Sequence, residues 1–468
     1  MDPKLVALVM AQQHFVERLS YSEIAQMHGV SVATVARRLA DAKEKGYVQE
    51  VRRVLPPPEY VEQLYRNITF KKISGELLRE LNRAGAGLKD VVVTAGDANP
   101  AVETADEQES ERGHPRITRV GLHGARLFQQ QLKALLEEKQ HVRIGLNWGY
   151  AVQMLCSQFQ TLIDEGLHKC DAARLEFSAL CGWFWIDCDP DIERWRRSWA
   201  ASAAMNAQIL AECFQEHDKM QVHLVRVPAL ISEEMFHRER ELGRLDLTRE
   251  VLMGICSSDR GYAHLYGEKP IFPTTASAHA FLNERWMQRG ADKKRFGSIL
   301  DHDILLTGLS SLKTTAGFVH LANCELRDRI EDYKTQFRAC GDIASHIFTD
   351  SETIARLEDP SFPQIGEVNG RVLSLWPEDL KQVANLHRDE NAAAPGGVIV
   401  LSCGQEKAKA LYMALTRHKI ANYIVIDTNL AWKLYEELGM TARRERDFST
   451  AELWDFGGAD GDDGQENP

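Results

Sequence analysis

The sequence predicts an α/β protein in which an N-terminal helix-turn-helix domain precedes a doubly wound, mostly parallel α/β domain. Residues 20–39 have the spacing of two short helices around a glycine turn. From residue 121 onward, helical segments alternate with short β-branched runs, which is typical of a parallel sheet with crossover helices. At 468 residues, the chain is also too long for one compact core. These observations indicate two or three domains.

The helix-turn-helix is the first element of the chain that the sequence defines. Ser20 or Ser22 can cap the first helix, whose Ile24 then faces inward. Gly29 supplies the backbone freedom of a tight turn, and Ser31 caps the second helix. A small structural hairpin is the alternative, since such spacing also occurs in helical bundles.

The second helix is the candidate DNA-binding element. Val30, Val35 and Leu39 are expected to hold it against the first helix, which leaves its N-terminal end able to enter a major groove. Arginine, lysine and hydroxyl side chains are the usual contacts to phosphates and base edges. The predicted DNA-binding residues are Ser31, Val32, Ala33, Thr34, Arg37, Arg38 and Lys43.

Positive charge is concentrated in this part of the chain. Between Ser31 and Arg53 there are six basic and three acidic side chains, whereas the whole chain carries a net charge of −12. A local basic face is enough for DNA binding, because counterions are released only from the contacted phosphates. Charge placement therefore favours DNA over the structural hairpin, and an adaptor that binds protein through the hairpin remains a further alternative.

Composition excludes several classes of protein. Hydrophobic residues make up 44% of the chain and charged residues 26%, and no apolar run approaches the roughly 18 residues of a membrane span. The start, Met1 to Lys4, lacks the pattern of a signal peptide, so a cytoplasmic location is expected. The nine cysteines include no Cys-x-x-Cys pair, which predicts buried free thiols rather than disulfides or a zinc site.

The domain boundaries are predicted from prolines that would stop a helix and from changes in composition along the chain. Pro56 to Pro58 would stop any helix and mark the end of the DNA-binding unit. The segment from Gly96 to Arg116 is rich in Asp, Glu, Pro and Gly and is expected to be a mobile loop. The predicted parts are a helix-turn-helix domain (1–55), a helical linker (56–87), an α/β domain (88–450) with an insertion near 245–290, and an acidic, disordered tail (451–468).

Short buried runs and helical patterns alternate through the α/β domain. The predicted strands are Leu88–Thr94, Val142–Leu146, Leu175–Leu180, Val222–Val227, Ile304–Thr307, Val398–Ser402 and Tyr423–Ile426. The best-formed predicted helices are Ala125–Glu138, Ala200–Gln215, Gln405–Arg417 and Asn429–Leu438, with an amphipathic segment at Ala276–Arg289 in the insertion.

Three glycine-containing turns are predicted to lead from a strand into a helix, at 145–149, 308–311 and 404–407. Helix N-termini expose backbone N–H groups and a partial positive charge, which suit a phosphate. The glycines could instead serve only to end a strand and begin a helix, and the tryptophan could be a core residue. The candidate ligand-binding residues are Gly145, Asn147, Trp148, Gly149, Tyr150, Gly308, Ser310, Gly404 and Lys407.

Motifs in order along the chain resemble those of the SorC family of bacterial transcriptional regulators, which have a DeoR-like sugar-binding domain. Beyond the helix-turn-helix, the motifs are Gly-Leu-Asn-Trp-Gly (145–149), Met-Asn-Ala-Gln-Ile-Leu-Ala-Glu (205–212), Asp-Ile-Leu-Leu-Thr-Gly-Leu-Ser-Ser (303–311), Gly-Asp-Ile (341–343) and Ser-Cys-Gly-Gln-Glu-Lys (402–407). The resemblance implies a sugar-phosphate-sensing domain, with a sheet related to that of sugar-phosphate isomerases and deaminases. It also implies dimers or tetramers on operator DNA. Asn147 and Ala151 stand where the family commonly has hydroxyl residues, which favours a different effector.

Catalysis is the alternative that the related enzymes raise, namely an isomerase- or deaminase-like enzyme carrying a helix-turn-helix. The turn at Gly308 offers no Asp or His as a general base. His302 and Asp303 are neighbours on a strand and should point to opposite faces, so they are not expected to act together. Coenzyme A transferases present a glutamate before a glycine turn, and Glu367 ahead of Asn369-Gly370 matches that pattern only over a few residues. No histidine pair has metal-ligand spacing. We therefore expect a regulator without catalytic residues, metal or cofactor, whose partners are operator DNA and a small sugar or sugar-phosphate effector.

Overall fold

The computed structural model describes most of the chain outside its C-terminal segment. The described residues are 3–15, 17, 19–45, 47–48, 70–96, 115–162, 174–183, 201–214, 219–290, 292–312, 329–389 and 394–440. Three predictions lie outside these residues: the proline-rich start of the linker, the interior of the loop from Gly96 to Arg116, and the acidic tail.

Three helices form the N-terminal unit: α1 (Pro3–Phe15), α2 (Tyr21–His28) and α3 (Val32–Glu44). Ser20 caps α2 in a reciprocal capping box with Glu23, and Gly29 ends the helix in the left-handed conformation at φ 60°. Ser31 caps α3 by accepting a hydrogen bond from the Thr34 amide. The predicted helix-turn-helix is confirmed, and α1, which the sequence analysis did not predict, supplies a third packing surface.

The described residues after the N-terminal unit form one main sheet. Its parallel strands are β1 (Asp90–Thr94), β2 (His141–Leu146), β3 (Arg174–Ala179), β4 (Met220–His223), β5 (Ile304–Ser311), β8 (Gly397–Leu401) and β9 (Tyr423–Asp427). Their order across the sheet is β1-β9-β8-β5-β2-β3-β4, and every neighbouring pair is parallel. The central strands are buried on both faces, as parallel strands covered by helices must be. The doubly wound fold class is confirmed.

Helices cover both faces of the sheet. Outside the insertion they are α4 (Lys71–Arg83), α5 (Pro115–Glu138), α6 (Tyr150–Leu162), α7 (Ala203–Glu212), α13 (Ile330–Thr335), α14 (Pro363–Gly370), α15 (Pro377–Asp389), α16 (Ala408–Thr416) and α17 (Thr428–Glu437). Two extensive apolar cores lie on the two sides of the sheet and include Val400 on one side and Ile399 on the other. Alternate residues of one strand thus face opposite layers.

The region predicted as an insertion, near 245–290, is mostly helical. The elements of this region and its flanks are α8 (Glu233–Glu241), α9 (Leu245–Ser258), α10 (Arg260–Tyr266), α11 (Thr275–Met287) and α12 (Lys293–Phe296), followed by a 3-10 turn (Ile299–Asp301). Helix α10 lies directly on the sheet edge, since a Cβ on Gly261 would come within 2.2 Å of the Leu224 carbonyl oxygen. Within the described residues, no helix combines the length and apolar character that a bilayer crossing requires.

Two strand predictions need correction. The strand expected at Val222–Val227 is displaced, because β4 ends at His223 and the chain then passes under α10. The turn expected at 308–311 is wrong, because β5 continues straight through Gly308 to Ser311. There it pairs with an antiparallel hairpin, β6 (Ala339–Ile343) and β7 (His346–Thr349), that the sequence analysis did not predict.

Helix boundaries shift in ways that hydrogen bonding explains. Helix α5 begins at Pro115, ten residues before the predicted start at Ala125, since proline needs no amide partner in a first turn. The predicted helix from Gln405 begins as a 3-10 turn (Gln405–Lys407) and becomes α16 only at Ala408. The amphipathic segment in the insertion is confirmed as α11.

Candidate functional site

A cleft opens beside the carboxyl ends of β2, β5 and β8. From β2 the chain proceeds outward through β3 and β4, then crosses back to place β5 on the other side of β2. This reversal is the topological switch point, where connecting loops diverge and leave a crevice outside the strand ends. The walls of the cleft enclose about 600 Å³ of space, which includes open solvent at its mouth.

The loop after β2 is ordered by Asn147. Its amide nitrogen donates to the Thr307 hydroxyl at 3.1 Å, while its side-chain oxygen accepts from the Trp148 amide at 2.8 Å. Its backbone carbonyl accepts from Asn206 on α7 at 3.0 Å. Asn147 lines the cleft but is only 2% exposed, so its main effect is to fix the loop between the sheet and α7.

Trp148 and Tyr150 form the aromatic part of the cleft. Their ring centroids are 6.1 Å apart at an interplanar angle of 59°. Gly149, between them, has φ 143° and donates its amide to the Ala201 carbonyl, so the chain turns sharply before α6 begins at Tyr150. The first backbone N–H groups of α6 point out of the helix end beside this loop.

The opposite wall comes from β5 and the hairpin. The Ser310 hydroxyl donates to the Asp342 carboxylate across the β5–β6 pair, and both residues line the cleft. The hairpin turn consists of Ala344 and Ser345, whose φ values are 51° and 66°. Two consecutive non-glycine residues with positive φ are strained, and such strain accumulates at binding sites.

Lys407 supplies a cation at the third wall. It ends the 3-10 turn after β8, is 7% exposed and lines the cleft. Gly404 opens this turn at φ 93°, and its amide donates to the buried Asp427 carboxylate at 3.2 Å. Asp427 also caps α17, so one carboxylate ties the Lys407 turn to the end of β9.

The structure brings most of the predicted ligand-binding residues together. Asn147, Trp148, Gly149, Tyr150, Gly308, Ser310 and Lys407 all line the cleft. Gly145 does not line it, because it lies within β2, where a Cβ would come within 2.6 Å of Leu305. Gly404 lies behind the wall and positions Lys407. The lining residues that sequence reasoning missed are Ile117, Ala151, Leu309, Asp342, Ala344, Ser345, Leu401, Ser402 and Cys403.

These groups suit a small polyhydroxylated ligand that carries negative charge. Ser310, Ser345 and Tyr150 offer hydroxyls, Asp342 offers a carboxylate, and Lys407 offers an ammonium. The Asp342 carboxylate accepts hydrogen bonds, whereas Lys407 favours an anion. The motif Gly-Asp-Ile at 341–343 was the sequence signal that could have identified Asp342.

The second candidate surface is the exposed face of α3. Ser31, Ala33 and Arg37 are exposed, and Val32 is 47% exposed despite being apolar. Val35 and Leu39 on the opposite face are fully buried. Thr34 and Arg38 are half-buried and Lys43 is exposed with its ammonium 5.0 Å from the Phe15 ring centroid. The predicted DNA-binding residues therefore share one face and its margin.

Helix α5 connects the two surfaces. The Arg119 guanidinium donates to the Glu17 carbonyl at 3.0 Å and to the carbonyls of Ala95 and Gly96. Arg119 is 2% exposed, and Glu17 lies in the connection between α1 and α2. Two residues earlier on α5, Ile117 lines the cleft. One helix turn thus contacts both the N-terminal unit and the ligand cleft.

The residues considered for catalysis lie elsewhere. Glu367 is on α14, where it lies 3.1 Å from His237 Nε2 and is ion-paired with Arg240 at 3.2 Å. Asp303 is ion-paired with Lys139 at 2.5 Å, whereas the His302 Nδ1 lies 3.2 Å from the Ser298 carbonyl. The two neighbours therefore face different surroundings, as expected. The six described cysteines are free, and five of them are buried.

Comparison with known proteins gives two kinds of match. Residues 13–45 match the family model described as sigma-70, region 4, which coincides with the end of α1 through α3. No curated protein sequence matches the chain. Among solved structures, the chain is similar to the full-length sorbitol operon regulator SorC from Klebsiella pneumoniae, with 17% identity and a TM-score of 0.44 over 93% of this chain and 99% of that chain. It is also similar to a transcriptional regulator from Streptococcus pneumoniae, with 12% identity and a TM-score of 0.44 over 79% and 99% of the two chains.

Proposed function

We propose that this chain is a SorC-family transcriptional regulator whose binding to operator DNA is controlled by a sugar or sugar-phosphate effector. In this proposal, it acts as a homodimer or homotetramer in the cytoplasm. Helix α3 contacts the major groove, with Arg37 and Arg38 as the main phosphate or base-edge contacts. The effector binds in the cleft at the switch point of the sheet, between Trp148 and Lys407.

The observation that carries the proposal is the position of α5. Arg119 holds the connection between α1 and α2, while Ile117 lines the cleft on the same helix turn. A ligand that shifts this helix end also shifts the N-terminal unit. In an oligomer, such a shift changes the distance between two recognition helices, which must match half-sites about one helical turn of DNA apart.

Thermodynamic linkage between effector binding and DNA binding sets the expected change in operator affinity. A coupling free energy of about 1–3 kcal/mol changes operator affinity roughly 5- to 150-fold, and DNA changes effector affinity by the same factor. The ligand-binding groups support a hydroxyl-rich effector, with Lys407 accounting for a phosphate or carboxylate.

The first experiment is selection of duplex DNA by the purified chain, followed by binding measurements at two salt concentrations with and without a panel of sugars and sugar phosphates. We expect a motif with paired half-sites, an affinity that falls with salt, and a change in affinity caused by one compound. The double variant Arg37→Ala/Arg38→Ala should lose operator binding while keeping its unfolding temperature. A matched control is Arg83→Ala/Arg260→Ala, which removes two exposed arginines that lie outside α3.

Other outcomes decide between the alternatives. If no motif is enriched, DNA binding is wrong, and salt-insensitive capture of protein would favour the adaptor. Turnover of any compound on the panel would favour the enzyme. If the Arg37/Arg38 variant binds its operator normally, the assignment of α3 is wrong.

A second experiment tests the coupling itself. Arg119→Lys keeps the charge but cannot bond three carbonyls in the planar fork of an arginine. We expect effector and DNA each to bind this variant, with the effector-dependent change in operator affinity reduced severalfold. Unchanged coupling in a folded variant would exclude the route through α5.

A further inference from the structure

Four histidines surround one buried glutamate on the sheet face that the insertion covers. Glu176 on β3 is 2% exposed and pairs in register with Arg143 on β2, while His223 pairs with Ser178. Alternation along the strands therefore brings these side chains to one face of the sheet. The histidines around Glu176 are His141, His223, His264 and His302.

The two oxygens of Glu176 have different partners. Oε2 lies 3.1 Å from His141 Nε2 and 3.3 Å from Arg143 Nε. Oε1 lies 2.7 Å from His264 Nε2 and 3.6 Å from His223 Nε2. One oxygen is thus anchored to the sheet, whereas the other faces two imidazole nitrogens.

The two imidazoles lie against each other, and a metal ion shared by them would require one ring to turn, because a metal lies in the plane of each imidazole that binds it. The rings of His223 and His264 are stacked, with centroids 4.1 Å apart and planes 17° from parallel. The Nε2 of His223 is buried and has no hydrogen-bond partner among the described residues. A metal ion binds the neutral form of imidazole through such a nitrogen.

From this geometry we propose a binding site for a transition-metal ion of the zinc class, with Glu176 Oε1, His223 Nε2 and His264 Nε2 as ligands. In a tetrahedral zinc site with bonds of about 2.0–2.1 Å, neighbouring ligand atoms lie about 3.3 Å apart. The distances from Oε1 to the two nitrogens, 2.7 and 3.6 Å, lie on either side of this value. A fourth position would hold water.

His141 and Arg143 complete the arrangement as positioning residues. They bind Oε2 and so orient Oε1, in the way that outer partners orient ligating carboxylates. Arg143 also lies 3.7 Å from Asp301, which offsets part of its charge. To bind a metal through Nε2, a neutral His264 ring would carry its proton on Nδ1 instead of donating from Nε2 to Glu176.

A second histidine and carboxylate cluster shows why charge matters. Glu233, His237 and Glu367 also converge. Three arginines contact these carboxylates, namely Arg240, Arg329 and Arg371. Those cations already neutralise the carboxylates and oppose a metal ion. In the Glu176 cluster, Arg143 lies against Oε2, the oxygen that is not a proposed metal ligand.

The site would fasten the insertion to the sheet. His264 belongs to α10, whereas Glu176 and His223 belong to β3 and β4. A metal that binds only the folded chain stabilises it by mass action. The insertion would then be anchored by a metal ion as well as by apolar packing.

The test uses the full-length chain, freed of metal with a chelator and titrated with Zn²⁺ by calorimetry and with Co²⁺ by visible absorption. We expect one strongly bound equivalent of Zn²⁺, a rise in the unfolding temperature, and the intense absorption of tetrahedral Co²⁺. His223→Ala and His264→Gln should each weaken Zn²⁺ binding at least tenfold. His264→Gln keeps a side-chain donor for Glu176, which protects the fold.

The control variant is His279→Ala, which removes an exposed histidine from α11 of the same insertion. It should bind Zn²⁺ like the wild-type chain. The proposal is overturned if the wild-type chain binds no stoichiometric Zn²⁺, or if folded His264→Gln binds it unchanged. Loss of Zn²⁺ binding in His279→Ala would also overturn it, since the metal would then be held elsewhere.

Discussion

The ligand cleft and the Glu176 cluster are two polar sites of one sheet, and they are built differently. The cleft is formed by turns at the carboxyl ends of β2 and β8, where short sequence segments place Trp148 and Lys407. The cluster is formed by side chains from separate strands and an inserted helix, which meet only after folding. This difference predicts that substitutions in the lining of the cleft leave the stability of the fold nearly unchanged, whereas substitutions in the cluster lower it.

The largest expected effect tests whether the cluster is structural. Glu176→Ala removes the charge that balances Arg143 and the carboxylate that the surrounding histidines contact, so the free energy of unfolding at pH 7 should fall by about 3 kcal/mol. Denaturant titration measures it. Glu284→Ala, which breaks a half-exposed pair with Arg295, should cost at most about 1 kcal/mol. Equal losses in the two variants would contradict the contrast between core and surface.

A pH-dependent effect should separate the cluster from the cleft. Burial lowers the pKa of His302 from 6.5 to about 4, so between these values the unfolded chain binds more protons than the folded chain. Stability should therefore fall as the pH decreases from 6.5 to 4, by about 3 kcal/mol from this residue. His302→Asn should lose that part of the acid sensitivity, and His279→Asn should keep it. Parallel pH profiles for wild type and His302→Asn would show that the imidazole is not protonated on unfolding.

Substitutions in the lining of the cleft should change the affinity for the effector rather than the free energy of unfolding. A methyl group at Gly308 would meet the carbonyl oxygens of Trp148 and Leu401 at 3.7 and 3.9 Å, which is ordinary contact, and would project into the cleft. Gly308→Ala should weaken effector binding about tenfold, or about 1.4 kcal/mol. Its stability should change by less than about 0.5 kcal/mol. Gly254→Ala, on open surface of α9, should leave effector affinity unchanged, and equal affinities in both variants would exclude this wall from the site.

The smallest expected effect concerns strain in the cleft. Ser345 has φ 66° in the hairpin turn, a conformation that glycine adopts without steric cost. Ser345→Gly should raise the free energy of unfolding by roughly 0.5–1 kcal/mol while weakening effector binding through loss of the hydroxyl. The same substitution at Ser257, within α9, should instead be destabilising by about 0.5 kcal/mol. Destabilisation at both positions would show that the turn is not strained.

Local signals were sufficient for the two helices of the helix-turn-helix, although not for α1. The capping serines, Gly29 and the buried positions Val35 and Leu39 all follow from short-range spacing, and the structure confirms them. The same holds for the central parallel strands, whose apolar runs are continuous because both faces are buried. By contrast, the β6–β7 hairpin carries no Asn-Gly or Asp-Gly signal, since its turn is Ala344-Ser345. Asp342 was therefore missed as a lining residue.

The sequence by itself determined the helix-turn-helix, the doubly wound fold class and seven of the sixteen residues that line the cleft, because each depends on neighbours within a few positions. Only the tertiary structure decided that Gly145 is a packing position, that Arg119 joins the N-terminal unit to the cleft helix, and that His223 and His264 share Glu176. Strand register and the docking of the insertion set those contacts. Such long-range geometry depends on the packing of the whole chain, which short-range spacing does not specify.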